Sequence, residues 1–342
     1  MFNKADKKLC LLFLLVSAPL ITAFDFGVTN YDNLSNNKDS SKSKPIAEFA
    51  NKVDELLINE KWHDIYSCSS KEVKSQLSED QFTRMIIKLT DKVGGIERVD
   101  IKEIHLVEST GKSRVPIQNG KSIIFPYPVQ LNRPLDGTLS FVLCETKSKK
   151  GEYFYWLTYI LKKEQKEWTL ASFQTRLSRL KGHKYEWFLE RARKFENSGQ
   201  NRNALFYRMI GFKLLNPGDH VIVPKAIEGY NSCFTKKAPS HLPLTNVRKS
   251  EAWKTKIGEF TVTDIAPLMY PSMLSLQVRY NSRQEIVGNS VDEADRVSIF
   301  NYVKEKFPEY RDAFESICIV SVTKSKRAQI KCYDYKTNQE LN

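Results

Sequence analysis

One run of residues limits the fold more than any other. Tyr153 to Lys162 reads YFYWLTYILK. In an extended strand, alternate side chains point to opposite sides. Tyr153, Tyr155, Leu157, Tyr159 and Leu161 then face one way, and Phe154, Trp156, Thr158 and Ile160 face the other. Both faces are apolar or aromatic, so the strand needs cover on both sides. The sequence predicts helices over one face, with the strand curving around something on the other. Two companion strands flank it, Leu139–Thr146 and Glu167–Gln174, and a looser one runs over Ile96–Val107. A further extended piece, Ile123–Pro128, is interrupted by prolines.

Helices precede these strands. Ile46, Phe49, Ala50, Val53, Leu56 and Leu57 recur at helical spacing within Ile46–Lys61, and Pro45 suits a first-turn position. A short apolar-spaced piece follows at Trp62–Ser69. Ser78 lies three residues before Gln81, the spacing of a capping box. The helix it opens carries Phe82, Met85, Ile86 and Leu89 inward and stops at Gly94-Gly95.

Helices followed by a mainly antiparallel sheet that ends in "GEYFYWLTYILKKEQKEWTLASFQ" resemble the cone-shaped fold of the nuclear-transport-factor-2-like superfamily (its SnoaL-like members). The run "WHDIYSCSSKEVKSQLSEDQFTRMI" is similar to secreted bacterial members, and "KEWTLASF", with Trp168, is the most specific piece. The resemblance spans about residues 46–178. It implies a cone that often holds a pocket, in which Asp, His or Tyr move protons in the enzymatic members. The candidates here are His63, Asp64, His105, Tyr127, Tyr153, Tyr155 and Tyr159, with Trp156 as a further aromatic wall. Adjacent residues on a helix point about 100° apart, so His63 and Asp64 make no simple dyad. Tyr153, Tyr155, Trp156, Tyr159 and His105 are the expected lining of any small-ligand pocket. No residue is assigned a catalytic role.

The N-terminus carries an address. Lys4, Lys7 and Lys8 precede the apolar run that starts at Leu9, and Ile21-Thr22-Ala23 offers a cleavage site. Export with cleavage near Ala23 is expected, to the periplasm or medium. That removes three lysines, one aspartate and Cys10, so the net charge of +13 falls to +11 and five cysteines remain. Residues 24–45, rich in Asn, Ser and Lys, read as a flexible tether.

Beyond the cone, His183–Ser198 and Asn201–Leu215 read as a helical hairpin turning at Gly199. Phe188, Ala192, Phe195, Gly199, Ala204 and Gly211 match a single tetratricopeptide-like unit, placed at 181–235. A linker is expected at 236–250 and a small α+β domain of order β-β-α-β-β at 251–342. In that domain Ser290–Asp292 caps a helix whose expected inner face is Val297, Phe300, Tyr302, Val303 and Phe307. If Lys324-Ser325-Lys326 forms a three-residue turn, Cys318 faces Cys332 across the hairpin, and the two can pair in an oxidising compartment.

The fold class expected is therefore α+β: an N-terminal cone of curved antiparallel sheet with helices, a helical hairpin, and a small C-terminal α+β domain. The basic excess is uneven. Residues 46–180 have 21 basic and 18 acidic side chains, residues 251–342 have 13 of each, and residues 181–250 have 13 basic against 5 acidic. Lys184, Arg191, Arg193, Lys194, Arg202, Arg208 and Lys213 form the expected surface for an anionic partner. The five histidines are scattered singly, without H-x-x-x-H or C-x-x-C spacing, and no phosphate loop, dinucleotide fingerprint or G-x-S-x-G elbow occurs. The reading is an exported, non-enzymatic protein that acts by contact with a protein or an anionic envelope component. It implies no cofactor and no metal, and expects no nucleic acid. A small-ligand carrier or enzyme using the cone, and an electrostatic binder of envelope polymer or lipid through 181–250, are the alternatives.

Overall fold

The computed structural model describes residues 29–36, 40–109, 117–132, 137–235, 242–244, 250–283 and 293–341. The leader expected at 1–23 lies outside them, as do Ser290–Asp292 and most of the linker expected at 236–250. The fold is α+β.

The first sheet has five strands, all antiparallel, in the order β1-β2-β5-β6-β7. They are β1 (Thr29–Asn33), β2 (Ile96–Ser109), β5 (Thr138–Ser148), β6 (Phe154–Glu164) and β7 (Glu167–Leu177). Four helices lead into it: α1 (Ser43–Ile58), α2 (Trp62–Ser67), α3 (Lys71–Gln76) and α4 (Glu79–Val93). The capping box at α4 is formed, with Ser78 and Gln81 bonding reciprocally, and Gly94 ends the helix in the left-handed conformation at φ 79°. That backbone conformation favours a residue without a Cβ.

β6 is covered on both faces. Tyr155, Leu157, Tyr159 and Leu161 join Ile46, Val53, Ile65 and Phe82 in a core beneath the helices. Trp156 and Ile160 join Phe141, Phe125, Val129 and Leu215 in a second core on the opposite face. That second layer includes β3 (Ile117–Gly120) and β4 (Val129–Leu131), which pair with each other, and β8 (Val221–Ile222), which pairs with β4. The extended piece expected at Ile123–Pro128 is not a strand; the short strands flank it instead.

The tether reading of 24–45 differs from the structure. Thr29–Asn33 pairs with β2, setting Tyr31 opposite Val107 and Asn33 opposite His105, and Ser43 already opens α1. The segment's polarity suggests a solvated chain. An edge strand satisfies its backbone by pairing and needs few apolar side chains of its own.

After β7 come α5 (Tyr185–Asn197), α6 (Asn201–Leu215) and α7 (Pro224–Thr235). α6 and α7 pack closely: a Cβ on Gly229 would lie 2.3 Å from the Phe212 ring. The second sheet has six strands, β9 (Glu251–Thr255), β10 (Gly258–Tyr270), β11 (Met273–Asn281), β12 (Ser316–Val322), β13 (Ala328–Asp334) and β14 (Glu340–Leu341). β11 and β12 run parallel, the crossover between them containing α8 (Glu293–Lys306) and a 3-10 turn at Pro308–Asp312. The edge strands β9 and β14 extend the four-strand order read from sequence. On α8, Ile299 lies inside with Phe300 and Val303, whereas Val297 is exposed.

Hairpin and C-terminal sheet share one core. Phe188, Phe206, Tyr207 and Ile210 of the hairpin lie in the same buried cluster as Leu276, Ile299, Tyr310 and Phe314. Tyr207 donates to the Ala313 carbonyl at 2.9 Å. Leu242 and Leu244 of the connecting segment are buried there too, and Ile265 N donates to the Pro243 carbonyl at 2.9 Å. Cys318 and Cys332 are partners in the β12–β13 register and are joined by a disulfide. Cys68, Cys144 and Cys233 stand outside any disulfide. Among the described residues no helix is long and apolar enough to cross a membrane.

Candidate functional site

The expected cone-pocket residues do not meet in one place. Tyr155 and Tyr159 face the helices. The Tyr159 hydroxyl donates to the buried Asp54 carboxylate, so α1 is tied to the middle of β6. Burial raises the Asp54 pKa to about 7, against the hydrogen bond from Tyr159 that favours its charged form. Trp156 points the other way; its indole N–H donates to the Leu214 carbonyl at 3.2 Å and its ring meets Phe125 edge-on. Tyr153 is partly buried against the helix-side core, and Tyr127 against the other. His63 is exposed and bonded to Glu79, whose hydrogen bond and charge raise the His63 pKa.

His105 is the exception, because it belongs to a built polar cluster. It is fully buried on β2, on the same side as Trp156. Its Nε2 lies 3.0 Å from Glu103 Oε2, and its Nδ1 lies 3.0 Å from the Tyr31 hydroxyl. Glu103 also accepts from Ser122 Oγ at 2.7 Å, from Ile124 N at 3.1 Å and from Ile123 N. Burial works to raise the Glu103 pKa, but the hydrogen bonds from His105 and Ser122 outweigh it and hold the carboxyl below its ordinary value. An ionised carboxylate only accepts, so His105 Nε2 carries the proton. The Tyr31 hydroxyl pairs with Nδ1 and also donates to the Lys121 carbonyl at 3.3 Å. Burial, followed by the Glu103 charge, pushes the Tyr31 hydroxyl to about 12. The cluster fastens the Ser122–Phe125 turn and β1 to the sheet.

Glu103, Tyr31 and Ser122 were not among the expected site residues. The signal for the first was available: Glu103 and His105 are two apart on a strand and so share a face that is otherwise apolar.

The seven cations expected to form one surface divide into two sets. Arg202 is half-buried, 2.7 Å from Glu309 and over the Phe307 ring; Arg208 is held by Glu196. These two are internal fasteners. Lys184, Arg191, Arg193 and Lys194 are exposed on or just before α5. Lys194 is 2.8 Å from Glu190, and the Arg191 guanidinium sits over Phe195. Lys213 is exposed on α6, over the Tyr230 ring.

Beside α5 lies a groove that sequence reading did not foresee, and of the α5 cations Arg191 acts electrostatically on one of its residues, Tyr207. One wall is the start of the hairpin: Lys181, His183, Trp187, Phe188 and Tyr207. The opposite wall is Leu274, Lys304, the 3-10 turn with Arg311, then Phe314, Glu315 and Tyr335. His183 and Trp187 stack at 4.1 Å between ring centroids and 7° between planes. Among the described residues no group of three or more His, Cys, Asp or Glu side chains gathers where it could hold a metal ion. The chain matches no family model, no curated protein and no solved structure.

Proposed function

We propose that the chain is an exported binding protein without a catalytic role, engaging an anionic component of the cell envelope. The observation that supports this most strongly is the set of exposed cations on or just before α5, Lys184, Arg191, Arg193 and Lys194, of which Arg191 acts electrostatically on the groove residue Tyr207. The aromatic residues a cone enzyme or carrier would use are engaged instead in packing and internal hydrogen bonds. The leader read at residues 1–23 supplies the route to the envelope.

Two measurements test the reading. Mass analysis of the mature chain from producing cells is expected to place its first residue at Phe24; a chain retaining Met1 through Ala23 in the cytoplasm overturns export. Retention on isolated envelope fractions is expected to fall steeply between about 50 and 500 mM salt. It is also expected to be lost in the triple variant Arg191→Gln, Arg193→Gln, Lys194→Gln. Salt-insensitive retention, or full retention by that variant, contradicts the electrostatic basis of the proposal.

A further inference from the structure

The groove between the hairpin and the C-terminal sheet is half open to solvent and has a volume of about 780 Å³, inside the range of roughly 300–1,000 Å³ occupied by small-molecule sites. Its floor is apolar, with Phe188, Tyr207, Leu274 and Phe314. Three features say what would fit there.

The first is Trp187. It is 39% exposed at the mouth, stacked on His183 and braced edge-on by Phe188. A large aromatic held rigidly in this way offers its rim and remaining surface to a ligand at little cost in side-chain entropy. The second is charge. Four cations line the groove, Lys181, Lys304, Arg311 and Lys336, against two acids, Asp312 and Glu315. Lys181 is held by Glu315, and Lys304 by the Tyr335 carbonyl and Asn338. Arg311, well exposed and 3.7 Å from Asp312, and the exposed Lys336 are the more accessible pair. Arg191 adds positive potential at Tyr207. The third is Tyr335. It is only 6% exposed, it lines the groove, and its buried hydroxyl has no hydrogen-bond partner among the described residues. The hydroxyl is closed off from solvent, so Tyr335 offers the groove its ring, beside Lys304, and not a hydrogen-bond donor.

We propose that the groove binds a small amphiphile with an apolar body and a single carboxylate or sulfonate head. This rests on the binding-protein reading and gives it a ligand class. The body lies along Trp187, Phe188 and Phe314. The head sits toward Arg311 and Lys336. A small ligand fits better than an extended acidic chain, because two of the four groove cations are already engaged internally.

The test uses the full chain with 8-anilinonaphthalene-1-sulfonate as probe, read by fluorescence and calorimetry, and laurate as competitor. One molecule is expected to bind per folded chain and to be displaced by laurate. Trp187→Ala is expected to weaken binding about tenfold and Trp187→Phe less than about threefold, which separates lost stacking from lost fold. The pair Arg311→Gln, Lys336→Gln is expected to weaken it at least about fivefold and to flatten its salt dependence. Circular dichroism and thermal melting verify that each variant is folded. Unchanged affinity in the Trp187→Ala chain and in the paired charge variant overturns the proposal. So does a result in which a hexaglutamate peptide binds while the sulfonate and laurate do not. If the probe fails to bind but envelope retention still depends on Arg191, Arg193 and Lys194, the ligand class falls and the envelope reading stands. If both fail, both fall.

Discussion

The N-terminal sheet and the groove beside the hairpin use aromatic side chains in opposite ways. On β6 the tyrosines and Trp156 are buried on two faces, and Tyr159 and Trp156 spend their polar atoms on Asp54 and the Leu214 carbonyl. At the groove Trp187 stays 39% exposed, and the Tyr335 hydroxyl is buried without a partner among the described residues. An aromatic-rich strand therefore reports a structural requirement for cover on both sides. The proposed ligand surface instead leaves an aromatic exposed on a helix, with cations on the facing wall.

The comparison is sharpest at Glu103. If the Glu103–His105–Tyr31 cluster is a structural fastener, removing its hub costs stability and leaves binding at the groove intact. Glu103→Leu leaves His105 and the Ser122–Phe125 turn without their acceptor and is expected to cost about 3–5 kcal/mol in urea unfolding. A variant of unchanged stability breaks the fastener account.

Asp54 gives the next largest effect, and its sign is distinctive. An acid whose folded pKa is raised binds more protons folded than unfolded. Its contribution is fully present below the unfolded value near 4 and lost as pH rises through the folded value of about 7. Carrying that shift through the linkage gives about 4 kcal/mol across the window. Glu103 and Glu145 act in the opposite sense. For Glu145, burial alone would raise the pKa, but Arg179, at 2.8 Å, and Ser178 hold it low. Their stabilisation is lost as pH falls below the ordinary carboxylate range. Stability is expected to peak on the acidic side of neutrality, and Asp54→Asn is expected to flatten the loss between pH 4 and 7. A slope unchanged by that substitution contradicts the assignment.

In the C-terminal layer, the Cys318–Cys332 cross-link closes a span of 14 residues, for which loop-closure entropy gives about 3 kcal/mol. Cys318→Ser with Cys332→Ser is expected to lower thermal stability accordingly. Alkylation and mass measurement without reductant is expected to modify neither cysteine; two modified thiols at these positions contradict the cross-link. The smallest effect is at the surface. Arg193→Gln is expected to change stability by less than about 0.5 kcal/mol while weakening envelope retention, the reverse of the Glu103 result.

Much of this was legible where a local rule dominates. Strict alternation on β6 assigned Tyr159 and Trp156 to opposite faces, because a strand has only two. The Ser78–Gln81 spacing marked the start of α4, and the turn at Lys324–Lys326 fixed the register that brings Cys318 to Cys332. What was illegible depends on distant contacts. Tyr31 lies in a polar stretch and becomes ordered by pairing with β2, 74 positions away from His105. Arg202 and Arg208 read as surface charges because their acids, Glu309 and Glu196, are matched to them only by packing. The groove joins Trp187 to Phe314 through a core that no local pattern announces.

Hydrogen–deuterium exchange of the full chain with and without laurate tests the central claim most directly. The account predicts added protection in residues 183–188 and 310–315, at the two walls of the groove, with 153–160 unchanged. Protection confined to 153–160, at the heart of the N-terminal sheet, would contradict it.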